Sequence, residues 1–249
     1  MRGGVLFADP AGRTPARAPG RAGLDAGVAA GVVWLLAVVA AIVWCSPKLT
    51  GLLQFDRAAV TRGELWRLAT GSLAHWSFGH LAWDLAAFIA LGVACVRRCP
   101  RAAAWTLACG SLAIGAAVWF WQPHLSTYRG MSGLDAALFA LLAVDLLMGT
   151  TLHAVRAACA AVLLCFLAKL DFELMSGRSF FVDSAAAGFV PVPLAHAVGA
   201  AVGGVIAVFA SQAKDSNRRV IPRSKATRDL GVERLSTPRS LACARDDSV

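Results

Sequence analysis

The sequence predicts an all-α membrane protein, a bundle of six transmembrane helices. Three observations carry this reading. Apolar residues come in blocks of about 20, the length that crosses a bilayer core of about 30 Å. Lys and Arg gather mostly between and beyond those blocks. A few polar side chains stand inside them, where each one is costly and therefore a candidate for function.

Composition agrees. With 57% hydrophobic and 16% charged residues in 249, the chain is too apolar for an ordinary soluble domain. The formal charge of +9 reads as membrane topology, and no nucleic-acid partner is expected. The seven cysteines are odd in number and show no small-domain spacing, so no disulfide framework follows. Cys95 and Cys99 lie four apart, but no further ligands stand nearby and no metal site or other cofactor is expected.

Residues 1–23 are rich in Arg, Gly, Pro and Ala and read as a disordered cytoplasmic N-terminus. The apolar stretch from Ala26 to Cys45 exceeds the hydrophobic region of a signal peptide, so it reads as a retained helix. Six blocks follow one another at about 25–45, 76–96, 102–121, 131–149, 151–170 and 190–210, within a membrane domain spanning 24–211. They are helices, because closed barrels show short alternating segments instead. Residues 212–249 are polar and basic and read as a disordered cytoplasmic tail. The connection 46–75 carries Leu52, Leu53, Phe55, Leu65, Trp66 and Leu68. It reads either as an interfacial or re-entrant element or as an ordinary extracytoplasmic loop.

The positive-inside rule places both termini, the Arg97–Arg101 turn and the connection near Thr150 in the cytoplasm. The connections 46–75, 122–130 and 171–189 then lie outside, although Lys48, Arg57, Arg62 and Arg67 blur the rule in the first. With this orientation Ser132, His196, His75 and His80 share one depth below the outer surface. A serine hydroxyl becomes nucleophilic beside a general base, and histidine suits that task. Gly133, Ala136, Ala137 and Ala140 in the fourth block, with Gly199 and Gly203 in the sixth, let two backbones approach. Each feature alone has a plainer reading, as a helix cap or a packing stripe. Their agreement on depth and side favours chemistry.

At these residues the sequence resembles the rhomboid family, over roughly 60–210. Gly130-Met131-Ser132-Gly133 is similar to the family's Gly-x-Ser-Gly, and His196, Gly199 and Gly203 to its His-x-x-Gly-x-x-x-Gly. Trp66-Arg67 and the pair His75 and His80 match two further patterns. The resemblance implies a rhomboid-like six-helix fold and an intramembrane serine protease. Its Ser132–His196 dyad has no third acid, and His75, His80, Asp84 and Gly130 support the oxyanion site. It implies transmembrane protein substrates, the lipid bilayer as surroundings and a bacterial inner membrane as location. Tyr128-Arg129-Gly130-Met131-Ser132-Gly133 looks most like the rhombosortase branch, whose substrates carry C-terminal Gly-Gly sorting anchors.

Two positions depart from the family. Asp84 replaces the usual Asn, and acts either as a neutral hydrogen-bond donor or by orienting a neighbour. Ala136 replaces an aromatic residue that packs on the catalytic histidine, so His196 must be held in another way. Asp135 and Asp145 have no assigned role. The competing readings are an inactive rhomboid-fold binding protein, suggested by Asp84, and a small proton-coupled transporter using the buried acids. No internal repeat supports the transporter. No His-Glu-x-x-His occurs, which argues against a metalloprotease.

Overall fold

A computed structural model describes residues 21–178 and 191–220. The expectations for 1–20, for 179–189 of the connection 171–189, and for 221–249 lie outside the described residues. The long helices are α1 (Arg21–Trp44), α5 (Phe78–Arg98), α6 (Pro100–Trp121), α7 (Ser132–Gly149), α8 (His153–Ser176) and α9 (Pro193–Val220). Between α1 and α5 lie α2 (Pro47–Leu53), strand β1 (Phe55–Asp56), α3 (Arg57–Thr61), α4 (Arg67–Thr70) and a 3-10 turn at Gly71–Leu73. A second short strand, β2 (Thr127–Tyr128), precedes α7. The protein is an all-α membrane protein.

Among the described residues five helices are long and apolar enough to cross a bilayer: Gly23–Trp44 within α1, α5, α6, α7 and Pro193–Lys214 within α9. Their outward faces carry Leu35, Trp105, Leu112, Phe120 and Phe209, each more than half exposed and suited to lipid. The remaining predicted block is α8, which departs from that composition. Its 24 residues give about 36 Å of helix, but Lys169, Asp171 and Glu173 stand in its last turns. The predicted boundary at 170 is therefore corrected: the helix continues to Ser176, and Asp171 and Glu173 belong to it rather than to a loop. The last block is also longer than its apolar span, running on through 212–220, where a disordered tail was expected. A compact unit ends at Ser211, and of the following unit only the helical residues 212–220 are described.

The connection 46–75 is built from short helices, each with a local cause. Ser46 accepts from the Leu49 N–H at 3.4 Å, with Pro47 starting α2. Asp56 accepts from the Ala59 N–H at 2.9 Å to cap α3. Phe55 pairs with Tyr128 and Asp56 with Thr127, antiparallel, which ties this connection to the chain entering α7. Arg57 then turns its guanidinium onto the end of α6. It donates to the carbonyls of Val118, Trp119, Gln122 and Leu125 at 2.8–3.1 Å. Two of these carbonyls belong to the last turn of α6 and two lie just beyond it, and a planar cation suits such a cluster of oxygens. Arg67 is buried and donates to Glu64, Gly51 and Gln54, fastening α4 to α2. At the far end of the bundle Arg98 pairs with Asp145 at 3.0 Å, which gives that buried acid a structural partner.

Candidate active site

Small residues decide how α7 meets α9. A side chain at Gly199 would collide with the Gly133 carbonyl, and one at Gly203 with the Ala137 carbonyl. With no Cβ in the way the two backbones touch, and the first turns of both helices lie side by side. Ser132 opens α7, and His196 stands in the first turn of α9 rather than the two turns in that the apolar block suggested. The structure brings them together, with His196 Nε2 2.9 Å from Ser132 Oγ.

The other side of the imidazole is also occupied. His196 Nδ1 lies 2.9 Å from Glu173 Oε2, and Lys169 Nζ donates to the same oxygen at 2.8 Å. The expectation of a Ser-His pair without a third acid therefore does not match the geometry. The apolar pattern ends this helix at 170, between Lys169 and Glu173, and so hides the pair. Their signal was an i, i+4 Lys/Glu pair directly after an apolar block, which places both on one helix face. Phe139 and Phe166 stack at 5.2 Å between α7 and α8 and help hold that face against the site.

A carboxylate accepts from Nδ1–H, and this fixes the ring tautomer. Nδ1 carries the proton, Nε2 presents its lone pair, and the Ser132 hydroxyl donates to it. The hydroxyl is thereby pointed at an acceptor able to take its proton.

The residues expected around the oxyanion divide into two groups. His80 and Asp84 line a cavity of about 960 Å³ that also reaches Ser132, Glu173 and His196. His75 is fully buried behind them, edge-on to His80 at 5.2 Å between ring centroids, and does not line the cavity. Asp84 Oδ2 accepts from the Met131 N–H at 2.8 Å and lies 3.3 Å from Nε2 of both His75 and His80. It faces three potential donors, so it serves as an acceptor that anchors the turn before Ser132. The neutral-donor alternative finds no support in this arrangement.

Gly130 supplies the bend in that turn. Its φ is +131°, and a Cβ there would press on the His80 ring at 2.9 Å. Tyr128 donates to the Gly130 carbonyl at 3.1 Å. Burial, with the Asp84 and Asp135 charges adding to it, pushes the Tyr128 phenol well above its usual pKa and keeps it a neutral donor. Arg129 stacks on Trp76 with Cζ 4.1 Å from the ring centre and donates to Gln54 at 2.6 Å, on the rim of the cavity. Asp135 lies one turn below Ser132 on the cavity wall, its Oδ1 buried without a hydrogen-bond partner among the described residues.

Among the described residues no cluster of His, Cys, Asp and Glu is arranged to hold a metal ion. The arrangement offers a hydroxyl aimed at an imidazole, a carboxylate behind the ring, and backbone N–H groups at the start of α7. Those N–H groups have no acceptor within the helix.

No curated protein matches the sequence. A family model described as Rhomboid domain matches residues 62–213, more than half of the 249. That stretch runs from the end of α3 to the end of the apolar part of α9, and it contains Ser132, Lys169, Glu173, His196, His75, His80, Asp84 and Gly130. With a hydroxyl and an imidazole paired between two membrane-spanning helices, and this domain over most of the bundle, the chain belongs to the rhomboid family of intramembrane serine proteases.

Proposed function

We propose that the protein is an active intramembrane serine endopeptidase in which Ser132 is the nucleophile and His196 the general base. One observation carries the reading: the 2.9 Å contact between Ser132 Oγ and His196 Nε2 inside a rhomboid domain. Ser132 attacks the scissile carbonyl as its proton passes to Nε2. The imidazolium then gives that proton to the leaving amine, and water hydrolyses the acyl-enzyme by the same route in reverse. In this reading the Ser132 N–H and His80, which lines the same cavity as Ser132, stabilise the developing oxyanion. His75, Asp84 and Gly130 support them by holding the turn 130–132.

The substrate is a membrane protein cut in or near its transmembrane segment. The Tyr128–Gly133 motif supports the rhombosortase branch, and with it C-terminal Gly-Gly-type sorting anchors in a bacterial inner membrane. The charge distribution supports both termini in the cytoplasm and the site near the outer face.

The test is a fluorophosphonate probe on the purified full-length protein. Labelling that disappears in Ser132→Ala and falls sharply in His196→Ala is the expected result. An unlabelled wild type points instead to an inactive binding protein. Co-expression with Gly-Gly-anchored proteins of the same genome, wild type against Ser132→Ala, tests the substrate. If no anchor changes size, the substrate assignment fails.

A further inference from the structure

We propose that Glu173 is a positioning residue for His196, so that the site works as a Ser132–His196–Glu173 relay rather than as a dyad. The inference rests on the reading of Ser132 and His196 given above. Its basis is geometric. Glu173 is 1% exposed, and its Oε2 meets His196 Nδ1 at 2.9 Å on the side of the ring opposite Ser132. A carboxylate so deeply placed needs partners, and it has two, the imidazole and the Lys169 ammonium.

The position also answers a question that the sequence raises. Ala136 leaves no aromatic ring to brace His196 from α7. The brace comes from α8 instead, and it is polar. The charged and titratable groups near the ring are Glu173 and Lys169 from α8 and Ser132 from α7. Asp135 from α7 and His80 and Asp84 from α5 line the same cavity.

During attack the Ser132 proton moves to Nε2, while Nδ1–H remains donated to Glu173. The carboxylate takes no proton. It fixes the tautomer with Nε2 free and stabilises the imidazolium as it forms. Lys169 holds the same carboxylate oxygen, with its Nζ 3.3 Å from His196 Nδ1.

A plainer role is possible for the same residues, a Lys169–Glu173 ion pair that merely stabilises α8. The experiment separates the two. Fluorophosphonate labelling rates are measured on full-length wild type, Glu173→Gln, Glu173→Asp and Lys169→Met, with Ser132→Ala as the blank. The side-chain proton of His196 Nδ1 is followed by NMR on 15N-histidine protein and assigned by its loss in His196→Ala.

The relay predicts a far-downfield Nδ1 proton in the wild type. It predicts labelling slowed about 100-fold or more in Glu173→Gln, since a mispositioned or wrong-tautomer base costs up to about 10⁴-fold in serine hydrolases. Glu173→Asp recovers part of that loss, and Lys169→Met loses less than Glu173→Gln. A wild-type His196 proton without the downfield shift overturns the proposal even if Glu173→Gln fails to fold. Equal losses in Lys169→Met and Glu173→Gln, or a Glu173→Gln rate near wild type, overturn it while leaving the protease reading intact. Absence of Ser132-dependent labelling in the wild type overturns both.

Discussion

Gly199 rests its backbone on the carbonyl of Gly133, one turn along α9 from His196 and one residue along α7 from Ser132. No atom separates the two helices at that point. The hydrogen bond between the hydroxyl and the imidazole depends on this contact more directly than on any side chain. Gly199→Ala forces the helices apart, because the obstacle is backbone and cannot rotate away. A displacement of about 1 Å at a reacting centre is able to cost about 10²-fold in rate, so probe labelling falls by about that much. Gly204→Ala is the control, since a Cβ there meets nothing within 4 Å, and it labels like the wild type.

Asp84 acts on the same serine from the other direction. Its carboxylate anchors the Met131 N–H at 2.8 Å, and Met131 immediately precedes Ser132. Asp84→Asn still offers a carbonyl oxygen to that N–H and retains most of the labelling rate. Asp84→Ala leaves the buried N–H without its acceptor, which costs about 1–3 kcal/mol. It slows labelling by about 10-fold or more at 25 °C. Equal losses in the two variants would show that the charge matters rather than the acceptor.

The sequence made the helices legible because each needs its own run of apolar residues, and α5, α6 and α7 lie within a few residues of the expected bounds. The meeting of Ser132 and His196 was legible for a related reason: helix count fixes which ends share a side, and glycines mark where two helices touch. Glu173 was hidden because apolarity ends before helicity does. Glu173 is stabilised by Lys169 on its own helix and by His196 on α9, and the second partner is visible only in three dimensions. The Asp84–Met131 contact was hidden for another reason, since its donor is backbone and leaves no mark in the sequence. The short helices of 46–75 rest on caps and on the Arg57 and Arg67 hydrogen bonds, and their apolar pattern alone left two readings open.

Gly130 is held at a φ of +131°, and the space where a Cβ would stand is filled by the His80 ring. Gly130→Ala therefore meets both backbone strain, on the order of 1–3 kcal/mol, and a collision with a cavity-lining side chain. The turn that sets Ser132 relaxes by moving His80, and labelling drops by about 10-fold or more together with a fall of a few degrees in the unfolding midpoint. A large fall in stability with labelling intact would mean that the turn is structural and does not position the site.

Arg57 makes the opposite prediction, stability before activity. Its guanidinium closes the end of α6 through four carbonyls, and its neighbours β1 and β2 hold the chain that leads into α7. A lysine delivers a point charge to one or two of those oxygens and cannot reproduce the planar fork. Arg57→Lys is expected to cost about 1 kcal/mol and Arg57→Ala about 2–3 kcal/mol, the range for losing a hydrogen-bonded charged group. The check is thermal unfolding of the detergent-solubilised full-length protein, read beside probe labelling below the transition. Arg57→Ala should lower the midpoint by several degrees and still label at a rate close to wild type, because no part of its side chain lines the cavity. Loss of labelling without loss of stability would instead assign Arg57 a place in forming the site.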